Sequence, residues 1–426
     1  YQVALYYVTA LSFRIFGISE WAGRLPSILC WVALIFSGMY ISRKLFKGKS
    51  WIITGLFLSF SQIQLAWATQ LRPYIWLELF TLWIVYLSYL STKSKLIDRN
   101  LLLASLLSLL SILFHGTGLL NLVIIANVFV YKIIKSQKFE YLFVIPVIGI
   151  LGIVVIFNSF QGGWDFVQKT LFHFYFSPLH YRIFLTHGYW WLILGSTIGV
   201  YLLYKKDKIL SFLFSGSIAF IFFMAIFKIN PNYVRYSLTA FPLMYVLFPY
   251  GLIEGLSKII KNKYLYWSLI ALVFIYLTYI GKIVIIPKAY YSINADMREN
   301  PIVDYKNTFQ KIKELLKDKQ NSLVIDAWND RVPWYMPNQK FIMANYATPT
   351  GIDPIYGEEY VGTVSGIKQK ISEHSSGIAI VEDWQSFMSG DVKEYIRKNL
   401  KYEFTEQDLP GNENDHWGIS VYSWGI

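Results

Sequence analysis

The sequence is short of cysteine and, over its first two thirds, of acid. Cys30 is the only cysteine among 426 residues, so no intrachain disulfide can form and the redox compartment cannot be read from thiols. Cys30 lies in an apolar run and reads as a small buried or lipid-facing residue. Residues 1–286 hold only 7 of the 27 Asp/Glu but 24 of the 39 Lys/Arg, whereas 287–426 is net acidic. The net charge of +12 does not indicate a nucleic-acid partner, because these cations sit in short loops between apolar runs and not on a solvated basic face. No GxxxxGK[ST] phosphate loop occurs. The first residues read as neither a basic n-region nor a signal peptide.

What is present is apolar surface. Hydrophobic residues make up 55% and aromatics 18% of the chain, and runs of about 20 apolar residues recur, which suits a lipid-solvated protein. The runs fall near 25–45, 51–68, 73–91, 100–114, 118–134, 141–157, 188–204, 209–227, 238–257 and 264–286. Alternate loops between them are rich in Lys/Arg: Arg43, Lys44, Lys47 and Lys49; Lys93, Lys95 and Arg99; Lys132, Lys135 and Lys138; Lys205, Lys206 and Lys208; Lys258, Lys261 and Lys263. The positive-inside rule places these loops in the cytoplasm. Ten spans then put both ends outside, with 287–426 as an extracytoplasmic domain. The cytoplasmic loops are too short for a nucleotide-binding domain, which argues against an ATP-driven pump or a cytosolic nucleotide-sugar enzyme.

The expected fold class is therefore an α-helical polytopic membrane domain over 1–286, followed by a C-terminal extracytoplasmic α/β domain over 287–426. In the second part, Tyr305, Phe309, Ile312, Leu315 and Leu316 share one helical face within 301–319. Ser322–Trp328 reads as a strand, Val361–His374 as a helix, Gly377–Glu382 as a strand, Val392–Leu400 as a helix and Ile419–Trp424 as a strand. That alternation points to a small α/β domain. The acids Asp326, Asp330, Asp353, Glu358, Glu359 and Asp383 have no metal-ligand spacing and read as solvated loop acids. The domain is expected to position an acceptor or cover the membrane site.

Ionisable residues at membrane depth are costly, and so mark candidate sites. In the segment 61–74, Pro73 is suited to start a helix. Arg72 then lies just outside it, and Tyr74 and Glu78 share one face at i, i+4. Glu78 is either catalytic or a pin held by Arg72 or His115. His115-Gly116-Thr117-Gly118 breaks the long apolar stretch 100–134, and His115 at a helix end is placed to donate to a phosphate. Arg235, in Asn230-Pro231-Asn232-Tyr233-Val234-Arg235-Tyr236, suits bidentate phosphate binding at a membrane boundary, or simple snorkelling. The outer loop 158–187 is too long for a plain connection. It carries Asp165, His173 and Arg182 as candidate substrate contacts, and its histidines lack metal spacing. Two GxxxG matches, Gly195–Gly199 and Gly251–Gly255, are candidate helix-packing motifs.

At these residues the chain resembles the GT-C glycosyltransferases of the protein O-mannosyltransferase and aminoarabinose–lipid A transferase type. The resemblance is carried by Leu5-Tyr6-Tyr7, Phe16-Gly17-Ile18-Ser19-Glu20-Trp21-Ala22-Gly23-Arg24-Leu25-Pro26-Ser27, Gln70-Leu71-Arg72-Pro73-Tyr74, and Tyr233-Val234-Arg235-Tyr236 leading to Phe241-Pro242. It implies a multi-pass enzyme of the plasma or inner membrane that moves a sugar from a polyprenyl-phosphate carrier to a glycan, lipid or protein acceptor at the outer face, with inversion. Arg235, Arg72 and His115 would hold the donor phosphate and Glu78 would assist; no cofactor is expected, and a requirement for a divalent metal stays open. The family's Asp-Glu pair in its first outer loop would lie upstream of Tyr1, with at least one span, so the chain reads as lacking its N-terminal end. Gln2-Val3-Ala4 stands where many relatives have His-Pro-Pro, which leaves the sugar open. The rival readings are an O-antigen-type polymerase or ligase and a non-enzymatic transporter of lipid-linked glycans. A transporter should show internal repeats, and none is visible.

Overall fold

The computed structural model describes residues 2–46, 48–94, 97–137, 188–227, 234–280, 283, 305–317, 319, 321–382, 386–406 and 418–426. The chain divides into two compact units, and the division falls between described residues 283 and 305.

The first unit is helical. Its elements are α1 (Val3–Phe16), α2 (Glu20–Leu45), α3 (Ser50–Phe60), α4 (Gln62–Ala68), α5 (Tyr74–Ser91), α6 (Arg99–Phe114), α7 (Leu120–Ser136), α8 (Trp190–Lys206), α9 (Lys208–Phe227), α10 (Phe241–Ile259) and α11 (Lys263–Tyr279). Short 3₁₀ turns, Gly116–Leu119 and Val234–Ala240, lead into α7 and α10. Among the described residues, five helical stretches are long and apolar enough to cross a bilayer, the longest of them being Glu20–Leu45 at 26 residues. That helix extends about 39 Å at 1.5 Å per residue, more than a hydrocarbon core requires. Stretches of this length and polarity are those of a membrane protein.

Nine of the ten expected spans coincide with described helices, and 141–157 lies outside the described residues. Two details differ from expectation. The second span is not one helix, because the chain kinks at Ser61, whose backbone is extended (φ −65°, ψ 126°). Ser61 there pairs with Ile283 and meets the Tyr245 hydroxyl at 2.6 Å. The other is α1, a 14-residue helix ahead of α2 that lies outside the ten apolar runs and falls where the resemblance has an outer-loop helix. Ser12 ties it to α2 by donating to the Ala22 carbonyl at 2.5 Å.

Side-chain contacts collect the Lys/Arg-rich loops at one end of the bundle. Lys206 donates to the Leu45 carbonyl, and the Tyr89 hydroxyl donates to Asp207 at 2.6 Å. Lys132 donates to Asp98 and to Ser91, both at 2.6 Å, and Lys49 lies over the Trp267 ring. The alternation read from sequence is thus a real sidedness. Two of the few acids of this half, Asp98 and Asp207, serve as anchors between basic helix ends. The lysines at helix C-termini also meet the negative end of the helix dipole.

Small residues set the closest helix approach. The α8 helix packs extensively on α10, where Gly251 faces the Gly195 carbonyl and the Gly199 nitrogen. A Cβ at Gly251 would lie 2.3 Å from that carbonyl oxygen, and one at Gly199 would lie 2.4 Å from the Leu247 oxygen. The two glycine motifs therefore meet as a packing seam. Gly255 takes little part, since its nearest neighbour would be Ile198 Cγ2 at 3.5 Å.

The second unit is an α/β domain. Its strands β1 (Leu323–Asp326), β2 (Phe341–Met343), β3 (Thr350–Ile352), β4 (Glu359–Val361), β5 (Gly377–Glu382), β6 (Lys401–Glu406) and β7 (Ile419–Trp424) form one sheet in the order β3-β4-β2-β1-β5-β7-β6. Strands β4, β2, β1 and β5 run parallel, and β3, β7 and β6 run antiparallel to their neighbours. Helix α12 (Tyr305–Leu315) and the short α13 (Arg331–Tyr335) cover one face. Helices α14 (Val364–Glu373) and α15 (Gly390–Asn399) cover the other. Period-2 alternation in β1 and β5 feeds both layers: Val324, Ile378 and Ile380 enter one core, and Leu323, Ile325, Ala379 and Val381 the other.

The expected strands at Gly377–Glu382 and Ile419–Trp424 match residue for residue, and the expected helices agree within a few residues. Strands β2, β3, β4 and β6 were not anticipated. Three of them span only three residues, and β6, Lys-Tyr-Glu-Phe-Thr-Glu, is charged and half exposed.

Candidate functional site

At the end of the helical unit away from the lysine-rich loops, the kink at Ser61, the start of α5, the α6–α7 break and the turn before α10 come together. Tyr74, at the start of α5, has its ring centroid 5.7 Å from that of His115 and 6.5 Å from that of Tyr236. His115 and Tyr236 are 6.0 Å apart, and Trp67 of α4 stacks edge-on against Tyr74 at 4.8 Å. Arg235 lies over the ring of Tyr236, and Arg72 stands two residues before Tyr74 in the chain. Arg72 is exposed and Arg235 half-buried. Three segments distant in sequence therefore bring two arginines and an imidazole to one aromatic cluster.

Glu78 lies one turn deeper on α5 and is 1% exposed. Its expected partners were Arg72 or His115, but the group that meets it is Gln64 of α4, whose Nε2 donates to Glu78 Oε2 at 2.7 Å. Gln64 is itself fully buried. Among the described residues, Gln64 Oε1 and Glu78 Oε1 have no hydrogen-bond partner. Tyr74 and Glu78 do share one face, as their spacing requires, and both point inward.

The break at His115 is built locally. Helix α6 ends at His115, whose backbone is extended (φ −166°, ψ 148°). Ser111 Oγ donates to the Gly118 carbonyl at 3.1 Å, and a Cβ at Gly118 would lie 2.4 Å from the Ser111 carbonyl carbon. Only glycine fits this approach. Asn121 donates to Ser111 Oγ at 3.2 Å, and Thr81 donates to Asn121 at 3.0 Å, so α5, α6 and α7 all fix the turn.

Of the expected site residues, Tyr74, His115, Arg235 and Arg72 are brought together, with Glu78 beneath them. Asp165, His173 and Arg182 lie outside the described residues. Sequence reasoning missed Gln64, Thr117 and Tyr236 as members of the site. Nothing local marks Gln64 among them, because its helix carries a second amide, Gln62, and only the kink at Ser61 turns Gln64 toward Glu78. In the second unit, Asp353 is buried and accepts from the Asn329 amide, the Tyr360 hydroxyl and the backbone of Ile355 and Tyr356, and is no solvated loop acid. Asp326 is likewise buried, and Asp383 lies outside the described residues. No group of three or more His, Cys, Asp or Glu suited to a metal occurs among the described residues.

Residues 3–160 match the model of the dolichyl-phosphate-mannose-protein mannosyltransferase family. No curated protein matches the chain by sequence. Among solved structures, the chain resembles ArnT from Cupriavidus metallidurans in the apo state, with a TM-score of 0.56 at 13% identity over 98% of this chain and 86% of that one. It also resembles the same protein bound to undecaprenyl phosphate (TM-score 0.53, 13% identity, 98% and 87% covered). A third similar structure is the archaeal oligosaccharyltransferase AglB from Archaeoglobus fulgidus, in complex with an inhibitory peptide and a dolichol-phosphate (TM-score 0.52, 12% identity, 98% and 67% covered). Over residues 3–160 the chain is thus similar to that mannosyltransferase family, and it shares the fold of these solved structures.

Proposed function

We propose that the chain moves a sugar from a polyprenyl-phosphate carrier to a glycan, lipid or protein acceptor, and that Arg235, Arg72 and His115 receive the carrier phosphate. The observation that carries this reading is the cluster of Tyr74, His115 and Tyr236 at the end of the bundle opposite the lysine-rich loops, with Arg235 over the Tyr236 ring and Arg72 two residues ahead of Tyr74. When the bond between the anomeric carbon and the phosphate breaks, negative charge grows on the phosphate oxygens. Fixed donors aimed at that charge in a poorly hydrated site stabilise it strongly. Guanidinium groups suit the task because their planar fork matches phosphate oxygens. The undecaprenyl phosphate and dolichol-phosphate held by two of the similar structures support a donor of this class.

The positive-inside rule supports a cytoplasmic position for the lysine-rich end, hence a site at the outer face of the plasma or inner membrane and an extracytoplasmic α/β domain. Glu78, buried beside Gln64, is suited to holding α5 against α4 below the site, where it sets the position of Tyr74 four residues earlier. The acceptor hydroxyl or phosphate would attack the anomeric carbon opposite the departing phosphate, which gives inversion.

Deletion of the gene, with mass-spectrometric profiling of polyprenyl-phosphate lipids and surface glycans, tests the reading. Build-up of one polyprenyl-phosphate monosaccharide, with loss of that sugar from a surface polymer, is expected. An unchanged monosaccharide carrier pool beside accumulated lipid-linked oligosaccharide would overturn it in favour of a polymerase, ligase or transporter.

A further inference from the structure

We infer that Thr117 is a positioning residue that locks His115 as a neutral imidazole with its proton on Nε2, so that His115 serves a phosphate oxygen as a hydrogen-bond donor and not as a cation. The inference rests on the phosphate reading above and adds the protonation state and the residue that sets it.

The geometry is specific. The Thr117 backbone N–H donates to His115 Nδ1 at 3.2 Å, and the Thr117 hydroxyl oxygen lies 2.9 Å from the same nitrogen. A backbone N–H can only donate, so Nδ1 must offer its lone pair, and the proton of the neutral ring then resides on Nε2. An imidazolium would aim an Nδ1–H at the Thr117 N–H. The contact survives only if the turn is rigid, and the turn is held from three helices. Ser111 binds the Gly118 carbonyl, Asn121 binds Ser111, and Thr81 binds Asn121, all of them buried. The Gly118 N–H also closes the turn on the His115 carbonyl at 2.8 Å.

The surroundings agree. The rings facing His115 are Tyr74 from α5 and Tyr236 from the turn before α10, with Arg235 over the Tyr236 ring and Arg72 two residues ahead of Tyr74. Two permanent cations already serve an incoming phosphate. A third positive charge beside them would be repelled in the empty site, whereas a neutral N–H adds a directional donor without that repulsion.

The test uses the purified full chain in detergent or liposomes, with undecaprenyl phosphate as the probe. Solid-state NMR of ¹⁵N-histidine-labelled protein, with His115→Gln to assign the signal, is expected to show His115 as the Nε2–H tautomer at pH 7. Thr117→Val removes the hydroxyl but keeps the backbone N–H, so it is expected to retain the Nε2–H tautomer while loosening the ring and weakening undecaprenyl phosphate binding several-fold, with Thr117→Ser restoring the affinity. His115→Gln keeps an N–H near the Nε2 position and is expected to bind within a few-fold of wild type, whereas His115→Asn and His115→Ala lose at least ten-fold. An imidazolium or Nδ1–H signal in the wild type overturns the inference, as does equal loss in the Gln and Ala variants. If the wild-type chain does not bind undecaprenyl phosphate at all, it is the phosphate reading that fails, and the NMR signal still decides the tautomer.

Discussion

Gln64 Nε2 donates to Glu78 Oε2 across 2.7 Å, and neither side chain reaches solvent. This amide–carboxyl pair joins α4 to α5 directly below the aromatic cluster. Removing one partner of a buried pair leaves the other with its full desolvation cost, about 1–3 kcal/mol and more if it is charged. Gln64→Ala is therefore expected to lower the thermal midpoint of the purified protein by several degrees. It should also reduce turnover, because Tyr74 depends on the same helix start. Gln64→Glu, which sets two carboxyls against each other, should be worse than Ala unless one is protonated. A Gln64→Ala protein with wild-type melting and activity would show that the pair holds nothing.

The glycine seam between α8 and α10 gives a sharper contrast. Gly251→Ala forces a methyl onto the backbone of Gly195 and Gly199, where no rotamer change can relieve it. Overpacking of this kind costs about 1–3 kcal/mol, and a backbone neighbour pushes towards the upper end. Gly255→Ala meets only a side-chain methyl at 3.5 Å and should be neutral. Thermal unfolding of the two variants in one detergent checks this, and equal midpoints would sink the seam as a packing determinant.

How much of this was legible follows from period and polarity. Apolar runs and the alternation of lysine-rich loops located the described helices from α2 to α11, because lipid tolerates few other arrangements of backbone polar groups. The site residues Arg72, Tyr74, Glu78, His115 and Arg235 stood out as polar groups amid apolar neighbours. Their mutual arrangement did not, since Tyr74, His115 and Tyr236 meet only through tertiary packing. Gln64 as the partner of Glu78 was hidden for the same reason: α4 swings onto α5 because of the kink at Ser61, and no local signal announces that kink. In the α/β domain, β5 and β7 were plain because they are buried along most of their length. The three-residue strands were too short for any period to register.

The two arginines should separate by chemistry. Arg235 is half-buried beside Tyr236, whereas Arg72 is exposed. A guanidinium in less hydrated surroundings acts on phosphate charge more strongly. Arg235→Ala is expected to lower kcat/KM for the polyprenyl-phosphate sugar by about 10²-fold, in line with the loss of one charge-stabilising donor. Arg235→Lys should recover only part of this, because an ammonium lacks the planar fork. Arg72→Ala should cost less, and its effect should shrink as salt is raised. Steady-state assays in liposomes at two ionic strengths distinguish the pair. Equal, salt-independent losses would contradict the difference in exposure.

Asp326 closes β1 in the α/β domain, fully buried, with Oδ1 accepting from the Ala327 N–H at 2.6 Å. Burial pushes its carboxyl up to about 6, against the opposing pull of Arg331. The folded state thus holds a proton that the unfolded chain, near 3.8, has already released. Between these values the folded form binds more protons, so its stability falls as pH rises from about 4 to about 6 and stays lower above that. Asp326→Asn carries no titrating group and should remove this contribution, on the order of a few kcal/mol. Thermal unfolding of the full chain at pH 5 and pH 8 is the check. The variant should lose less stability than the wild type on going to pH 8, and identical pH dependence in the two would mean that Asp326 keeps an ordinary carboxylate pKa through its neighbour Arg331.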